Sequence, residues 1–322
     1  MKKLFVKDLK PGIEVVDLFV LRKKELKESD SKKRLQLELG DKSGRIDAIA
    51  WDEPVQFYEL AQEGDVVKIE GWVGTYQGKP QIKLKTLTKL RTGDFKLEDL
   101  LPSSLEDLDA LLEKFKQKIL SIQNQYLKSL FADLTGDVEF MNRLRVAPAG
   151  KLWHHSCLGG LLEHTLRVTS LCELAAQNYD LIDRDLLVSG ALLHDIGKIT
   201  EYSVSGFIEY TDEGRLIGHV VSGDKLVASR LEKIDGFPEE LALRLRHLVL
   251  SHQGKLECAS PVVPKTIEAI VLHYADELDA KADAFTRVIN KSKAAGKKWS
   301  EWVGLIDRYI YIGENVLEDT EE

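Results

Sequence analysis

The hydrophobic periodicity of this 322-residue chain changes once, near residue 90. Up to that point apolar residues recur at every second position between glycine-containing turns. Beyond it they recur every three or four positions over long stretches. Strands followed by helices, rather than alternating with them, call for two separate cores. A chain of this length has room for both, at about 100–200 residues per domain.

Residues 14–22 and 34–39 read as strands, the second with Leu35, Leu37 and Leu39 on one face. A turn at 40–44 and a strand at 45–51 complete a hairpin. Residues 54–62 read as one short helix with Pro54 near its start, ended by Gly64-Asp65. Strands at 66–73 and 81–87 follow, joined by a turn at 76–80. Three strands, a helix and two strands is the order of a five-stranded OB barrel, and the helix position argues against a small SH3-like barrel. Residues 91–103 form a boundary. Ser103 with Glu106 has the capping-box pattern and opens a helix expected to run to about Leu130. Further helices are expected at 138–145, 157–178, 185–197, 218–234, 238–251 and 265–291, with a small hairpin at 203–211. The expected architecture is multidomain, a β barrel plus an all-α part. It places a nucleic-acid-binding OB-fold at 1–90, a linker and connecting helix at 91–135, and a helical domain at 136–322.

The net charge of −8 speaks against a strongly basic nucleic-acid binder, but it is unevenly spread. Residues 1–95 carry 19 Lys and Arg against 16 Asp and Glu, a balance of +3. Residues 96–322 carry 26 against 37, a balance of −11. A mildly basic barrel joined to an acidic helical part suggests two tasks. A solvated acidic face is the simpler account of the second part, and carboxylates that hold cations are the sharper one. No run approaches the ~20 apolar residues of a membrane-spanning helix. The opening MKKLFVKDLKPG lacks the apolar stretch of a secretory leader. The three cysteines, Cys157, Cys172 and Cys258, are odd in number and widely spaced. They fit neither a disulfide framework nor a thiolate metal site, and a reducing cytoplasm is the expected location.

Within the helical part His164, His194, Asp195, His219, His252 and Asp276 stand apart. His164 is in register with Leu161, Val168 and Leu171, on the apolar face of its helix. The string LLHDIGK puts His194 and Asp195 at the end of an apolar helix, before a glycine, and Asp276 lies mid-helix in VLHYADELDA. Ionisable groups aimed inward are costly unless paired or metal-bound. Several helices each delivering one or two such groups is how helical bundles build metal sites.

In this order, the residues resemble the HD superfamily of metal-dependent phosphohydrolases. The longer strings HHSCLGGLLEHTLRV (154–168), LLHDIGK (192–198), GRLIGHV (214–220), LSHQGKLE (250–257) and VLHYADELDA (271–280) resemble a narrower group. These are the YhaM-type 3'→5' exoribonucleases, which join an N-terminal OB-fold to a C-terminal HD domain. The resemblance implies a two-metal site. His164, His194, Asp195 and Asp276 would hold one ion, and Asp195 would bridge to a second held by His219 and His252. Mixed imidazole and carboxylate donors suit manganese, iron, zinc or cobalt better than magnesium, and manganese is the expected ion. Two ions ~3.5–4 Å apart clamp the attacking and leaving oxygens of an in-line displacement, so no protein nucleophile is needed. Asp195 and Lys198 are the expected catalytic residues. Lys198 lies one turn past His194, where its charge can reach a phosphate oxygen.

His154 and His155 precede the His164 helix, and the resemblance places them at the active-site mouth as substrate contacts. His273 and Asp279 each lie three residues from Asp276, which suits supporting roles; Asp279 would orient His273 or a ligand. His247, Cys157 and Cys172 are expected to be structural. In the barrel, Trp51, Trp72, Phe57, Tyr58 and Tyr76 are candidates for base stacking, with Trp72 on the less apolar face of its strand. Lys83 and Lys85 fall on the outward face of theirs.

The chain thus reads as a metal-dependent phosphodiesterase that shortens single-stranded RNA, with single-stranded DNA as a second candidate, and releases nucleoside 5'-monophosphates. The direction of cutting and the RNA preference come from the resemblance alone. No membrane association is expected, and self-association is left open. One alternative is an HD phosphohydrolase for a small nucleotide, such as a cyclic nucleotide, a dNTP or a guanosine polyphosphate; a strand-binding barrel argues against it. The other is a non-catalytic single-strand-binding adaptor, against which the full set of six ligands argues.

Overall fold

The computed structural model of the chain describes residues 2–29, 32–91, 93–151, 155–304 and 306–313. The chain divides into two compact units, Met1–Leu105 with Tyr202–Thr211, and Glu106–Glu201 with Asp212–Glu322.

In the first unit, β1 (Glu14–Ser29), β2 (Lys32–Asp41), β3 (Gly44–Ala50), β4 (Val66–Tyr76) and β5 (Lys79–Lys89) close a barrel in the order β1-β2-β3-β5-β4. Among the described residues, only the β3–β5 pairing of the barrel is parallel. With α1 (Pro54–Leu60) between β3 and β4, this is the expected five-stranded OB-fold. The period-two pattern accounts for it. Leu35, Leu37 and Leu39 of β2, Ile69 of β4 and Ile82 of β5 point inward beside Phe19, and all are buried. Each such side chain contributes about 1.5–3 kcal/mol when fully buried. β1 runs past its expected end at residue 22. The extension pairs with β2 from Lys23↔Glu38 to Ser29↔Lys32, with no fully buried residue from Lys23 to Glu28. Its charge-rich composition conceals a strand that forms through pairing rather than burial. The expected hairpin forms as β6 (Tyr202–Val204) and β7 (Ile208–Tyr210). It belongs to the barrel unit: the Gly206 amide donates to the Gly64 carbonyl at 3.1 Å, and Phe207 joins an apolar cluster with Val20, Val66 and Leu100.

The second unit is helical. Its elements are α2 (Leu108–Leu120), α3 (Gln125–Gly136), α4 (Val138–Val146), α5 (Gly160–Asn178), α6 (Arg184–Leu193), α7 (Lys198–Glu201), α8 (Asp212–Leu216), α9 (His219–Leu231), α10 (Glu239–Ser251) and α11 (Ile267–Ala294). Asp107, Asn124, Asp137, Asp183 and Thr266 accept backbone amides at the starts of α2, α3, α4, α6 and α11. Each such cap is worth about 1 kcal/mol. The single helix expected from Ser103 to about Leu130 is in fact two, and Asp107 rather than Ser103 caps the first. The break between them is a tertiary effect. Asp185 accepts the amides of Gln123 and Asn124, each at 2.7 Å, and Arg184 donates to the Ser121 carbonyl at 3.2 Å. α6 is buried on every side from Leu186 to Leu193, which marks it as the central helix; α5, α10 and α11 pack against it. Cys157 and Cys172 are buried free thiols, and His247 accepts the Lys265 amide at 2.9 Å.

Candidate metal centre

Five helices deliver six ionisable side chains to one place. His164 comes from the middle of α5, and His194 and Asp195 follow the last turn of α6. His219 begins α9, His252 follows α10 and Asp276 lies in α11. His164, His194, Asp195 and His252 are at most 2% exposed. Gly197 makes the convergence feasible, because a Cβ there would stand 2.0 Å from the His219 carbonyl oxygen. The glycine of LLHDIGK thus lets the chain after Asp195 lie against the start of α9.

The imidazoles are oriented through their Nδ1 atoms. His194 and His252 occupy the C-caps of α6 and α10. Each Nδ1–H donates back to the carbonyl three residues earlier, Ala191 at 2.8 Å and Val249 at 2.7 Å. These bonds satisfy carbonyls that a helix end leaves unpaired. His164 Nδ1 donates to Asp279 Oδ2 at 2.7 Å, and His219 Nδ1 lies 3.1 Å from Glu201 Oε1. With Nδ1 committed in all four rings, the four Nε2 atoms are left to face the centre.

They form two pairs about Asp195. Asp195 Oδ2 lies 3.4 Å from His164 Nε2 and 3.5 Å from His194 Nε2, and Asp276 Oδ1 lies 3.1 Å from His164 Nε2. Asp195 Oδ1 faces the other pair, 3.4 Å from His252 Nε2 and 3.5 Å from His219 Nε2. Among the described residues this buried Oδ1 has no hydrogen-bond partner, which is costly for a carboxylate oxygen. On the Oδ2 side, His164 Nε2 and His194 Nε2 stand 3.2 Å apart, a hydrogen bond when His164 carries its second proton and two converging lone pairs when it does not. A cation resolves both arrangements. Imidazole nitrogens combined with carboxylate oxygens fit divalent transition metals, so the residues present fit the ions that the HD resemblance implies.

Burial pushes His194 down to about 4, which keeps it neutral with its lone pair available. Burial also opposes the charged form of His164, but Asp195, Asp276 and Asp279 outweigh it and hold this ring well above its usual value. For Asp195 burial opposes ionisation, and Lys198 with His194 overcomes it, so the carboxyl is held well below the usual range. Lys198 Nζ lies 2.5 Å from Asp195 Oδ2 and is itself buried. The shared carboxylate is therefore anionic, as a metal ligand must be.

The supporting residues are placed differently from one another. Asp279 holds His164, and the same Oδ2 lies 3.0 Å from His155 Nε2. His155 is 1% exposed, so the ring expected at the mouth is instead buried against Asp279. His154 lies outside the described residues. His273 Nδ1 donates to the His252 carbonyl at 2.8 Å. Sequence reasoning missed Glu201 and Gln253. Glu201 carries no signal, since its partner His219 is 18 residues away across the hairpin. Gln253, whose amide nitrogen lies 3.0 Å from His252 Nε2, could have been found from its adjacency to a helix-end histidine. Lys198, His252, Gln253, His273 and Asp276 line a cavity of about 180 Å3. A larger groove of about 890 Å3 along α2, α5 and α11 is lined by Asp279 but by none of the six converging residues.

The four strand-binding residues expected in the barrel fall on its outer face. The β4–β5 register sets Trp72 opposite Lys83, and the parallel β3–β5 register sets Ile49 opposite the same lysine. Lys85 is the extra residue at the register shift between Glu70↔Thr86 and Gly71↔Leu84, and Trp51 follows the last residue of β3. Trp51 and Trp72 are each 52% exposed, and Lys83 and Lys85 are exposed. The Arg34 guanidinium lies 5.7 Å from the Trp51 ring centroid. Tyr76 is also exposed, Tyr58 sits beneath the Lys24 ammonium, and Phe57 is part of the barrel core, where no base can reach it. Exposed aromatic faces flanked by cations are the chemistry of a sequence-tolerant single-strand platform.

Residues 161–281 match the family model of the HD domain, and residues 19–90 match that of the OB-fold nucleic acid binding domain. The chain thus joins an OB-fold of nucleic-acid-binding type to a metal-dependent phosphohydrolase domain of the HD class. The 3'-5' exoribonuclease YhaM of Geobacillus sp. (strain WCH70) is 33% identical over 283 residues, spanning 87% of this chain and 86% of that protein. The proteins of the same name from Bacillus subtilis (strain 168) and Bacillus velezensis are 33% and 34% identical, each over 87% of this chain and 89% of theirs. The chain belongs to the YhaM 3'-5' exoribonuclease family. Among the described residues, no helix is long and apolar enough to cross a membrane.

Proposed function

We propose that this chain is a cytoplasmic enzyme that degrades single-stranded RNA from its 3' end, hydrolysing one phosphodiester at a time with two manganese ions and releasing nucleoside 5'-monophosphates. Single-stranded DNA is its second substrate. Family membership supports the substrate and the direction. The observation that carries the two-ion reading is Asp195, whose Oδ2 faces His164 and His194 while its unpaired Oδ1 faces His219 and His252. In this reading His164, His194, Asp195 and Asp276 hold one ion, and Asp195, His219 and His252 hold the other. Bound divalent ions withdraw charge from the scissile phosphate and lower the pKa of water beside it. Asp195 sets the spacing of the two half-sites. Asp279 and Glu201 keep His164 and His219 in the tautomer that presents Nε2. Lys198, in the cavity wall, supplies a point charge to a phosphate oxygen. The cavity of about 180 Å3 is smaller than the ~300 Å3 at which enclosed small-molecule sites begin. That size favours a strand end, with its base outside, over an enclosed free nucleotide. The barrel unit holds the strand and the helical unit, which takes in α2 and α3 from the expected 91–135 linker, cuts.

Manganese-loaded protein incubated with a 5'-labelled single-stranded RNA should give a descending ladder of labelled products and free nucleoside 5'-monophosphates. A single internal cut, or none, contradicts the reading. His219→Ala should lower bound manganese from about two ions per chain to about one, because it removes a ligand of one ion only. Elemental analysis finding about one ion in the wild type would favour a mononuclear phosphohydrolase instead. Asp279→Ala should weaken the first ion about 10–100-fold in a calorimetric titration, since His164 Nδ1 loses the acceptor that orients it. An unchanged first step would remove Asp279 from the orienting role.

A further inference from the structure

The ligand set above leaves one side chain at the second half-site unused. Gln253 follows His252 at the end of α10, on a turn held from both sides. The Gly254 amide donates to the Ser251 carbonyl at 2.8 Å, and His273 Nδ1 donates to the His252 carbonyl at 2.8 Å. Gly254 has φ +78°, and a Cβ there would stand 2.2 Å from the His273 ring, so this seating requires glycine. The turn aims the Gln253 amide nitrogen at His252 Nε2, 3.0 Å away, and at His219 Nε2, 3.5 Å away. Both rings have Nδ1 engaged elsewhere, so in the neutral form that binds a metal both Nε2 atoms present lone pairs, and the N–H2 end of the amide is the end that suits them.

We infer that Gln253 is a ligand of the second ion, its amide carbonyl completing the set formed by His219, His252 and Asp195 Oδ1. The inference rests on the two-ion reading. An ion held by His219 and His252 takes both lone pairs that the amide N–H2 uses. The amide then has no acceptor on that side and turns two partial positive charges toward a cation. Amide nitrogen and oxygen are nearly the same size, and a half-turn of the last side-chain torsion exchanges them. That exchange replaces repulsion with coordination at no steric cost. Two imidazoles and one carboxylate oxygen leave coordination positions open, and a neutral amide oxygen is a donor suited to manganese. Gln253 also lines the cavity, together with His252 and Asp276.

The test is a calorimetric titration of the metal-stripped full-length protein with Mn2+, paralleled by Mn2+ electron paramagnetic resonance. The wild type should bind in two steps. Gln253→Ala should weaken the second step at least about tenfold and leave the first within about twofold. Gln253→Glu, which keeps an oxygen in place, should retain or tighten the second step. Two wild-type steps with the second unchanged in Gln253→Ala overturn the assignment. A tightened second step in Gln253→Ala also overturns it and makes the amide a plug that competes with the ion. A single wild-type step overturns the two-ion reading and this assignment with it.

Discussion

Asp195→Asn should lower RNA hydrolysis by at least about a thousandfold, ~4 kcal/mol in the barrier, while the chain stays folded. The two oxygens of Asp195 face two different histidine pairs, so this one carboxylate belongs to both half-sites. Asparagine keeps the shape but offers one oxygen and no charge, and its N–H2 must point at one of the pairs. In the proposed two-ion centre both ions therefore lose affinity or position together. The substitution has a second consequence. Lys198 lies 2.5 Å from Asp195 Oδ2 in a buried setting, and it loses its counter-charge. Removing one partner of a buried pair costs about 3–5 kcal/mol, so the melting temperature should fall. The double variant Asp195→Asn/Lys198→Met removes the stranded charge and should recover much of the stability without recovering activity. Circular dichroism melts and single-turnover assays separate the two effects. Activity of Asp195→Asn within about tenfold of wild type, ~1.4 kcal/mol, would sink the assignment of Asp195 as the shared ligand.

Replacing Trp51, Trp72, Lys83 and Lys85 together with alanine should raise KM for long single-stranded RNA at least about tenfold and leave kcat within about twofold. Base stacking on an exposed aromatic is worth ~1–3 kcal/mol per base, and two such surfaces are removed. The two lysines add the salt-dependent part: each phosphate left without its lysine flattens the slope of log K against log salt by ~0.7 for single strands. The helical part carries a balance of −11 over residues 96–322, so it repels a polyanion, and the barrel must supply the affinity. All four side chains are exposed, and none belongs to the barrel core, so the variant should fold normally. An unchanged KM and an unchanged salt slope would make the barrel an assembly module and end the proposed division of labour. A loss confined to kcat would do the same, because removal of strand affinity acts on KM.

The identity of the two folds was readable from local pattern. Whether a residue points inward depends mainly on the period of its own element, so Leu35, Leu37 and Leu39 declared a half-buried strand and Leu161, His164, Val168 and Leu171 a helix face. The six converging residues were readable for a related reason. Each places an ionisable group where its element is otherwise apolar, and that contradiction needs no knowledge of neighbours. The LLHDIGK glycine had a signal too, although its purpose, clearing the His219 carbonyl, had none.

Tertiary structure alone decided how these parts meet. The expected long helix from Ser103 breaks because Asp185, 62 residues beyond Gln123, takes the amides that would have continued it. His155 reads as a loop residue near a mouth, yet Asp279, 124 residues away, draws it into the interior. Trp72 comes beside Lys83 only through the β4–β5 register, Ile49 of β3 meets the same lysine only through the parallel β3–β5 register, and register depends on closure of the whole barrel. The division of Asp195 between two histidine pairs depends on where α6 and α10 end, where α9 begins and where α5 passes relative to them. A single chain states which side chains are costly to bury. The packing of distant elements states which atom of each one faces which neighbour, and that is where the chemistry of the centre is set.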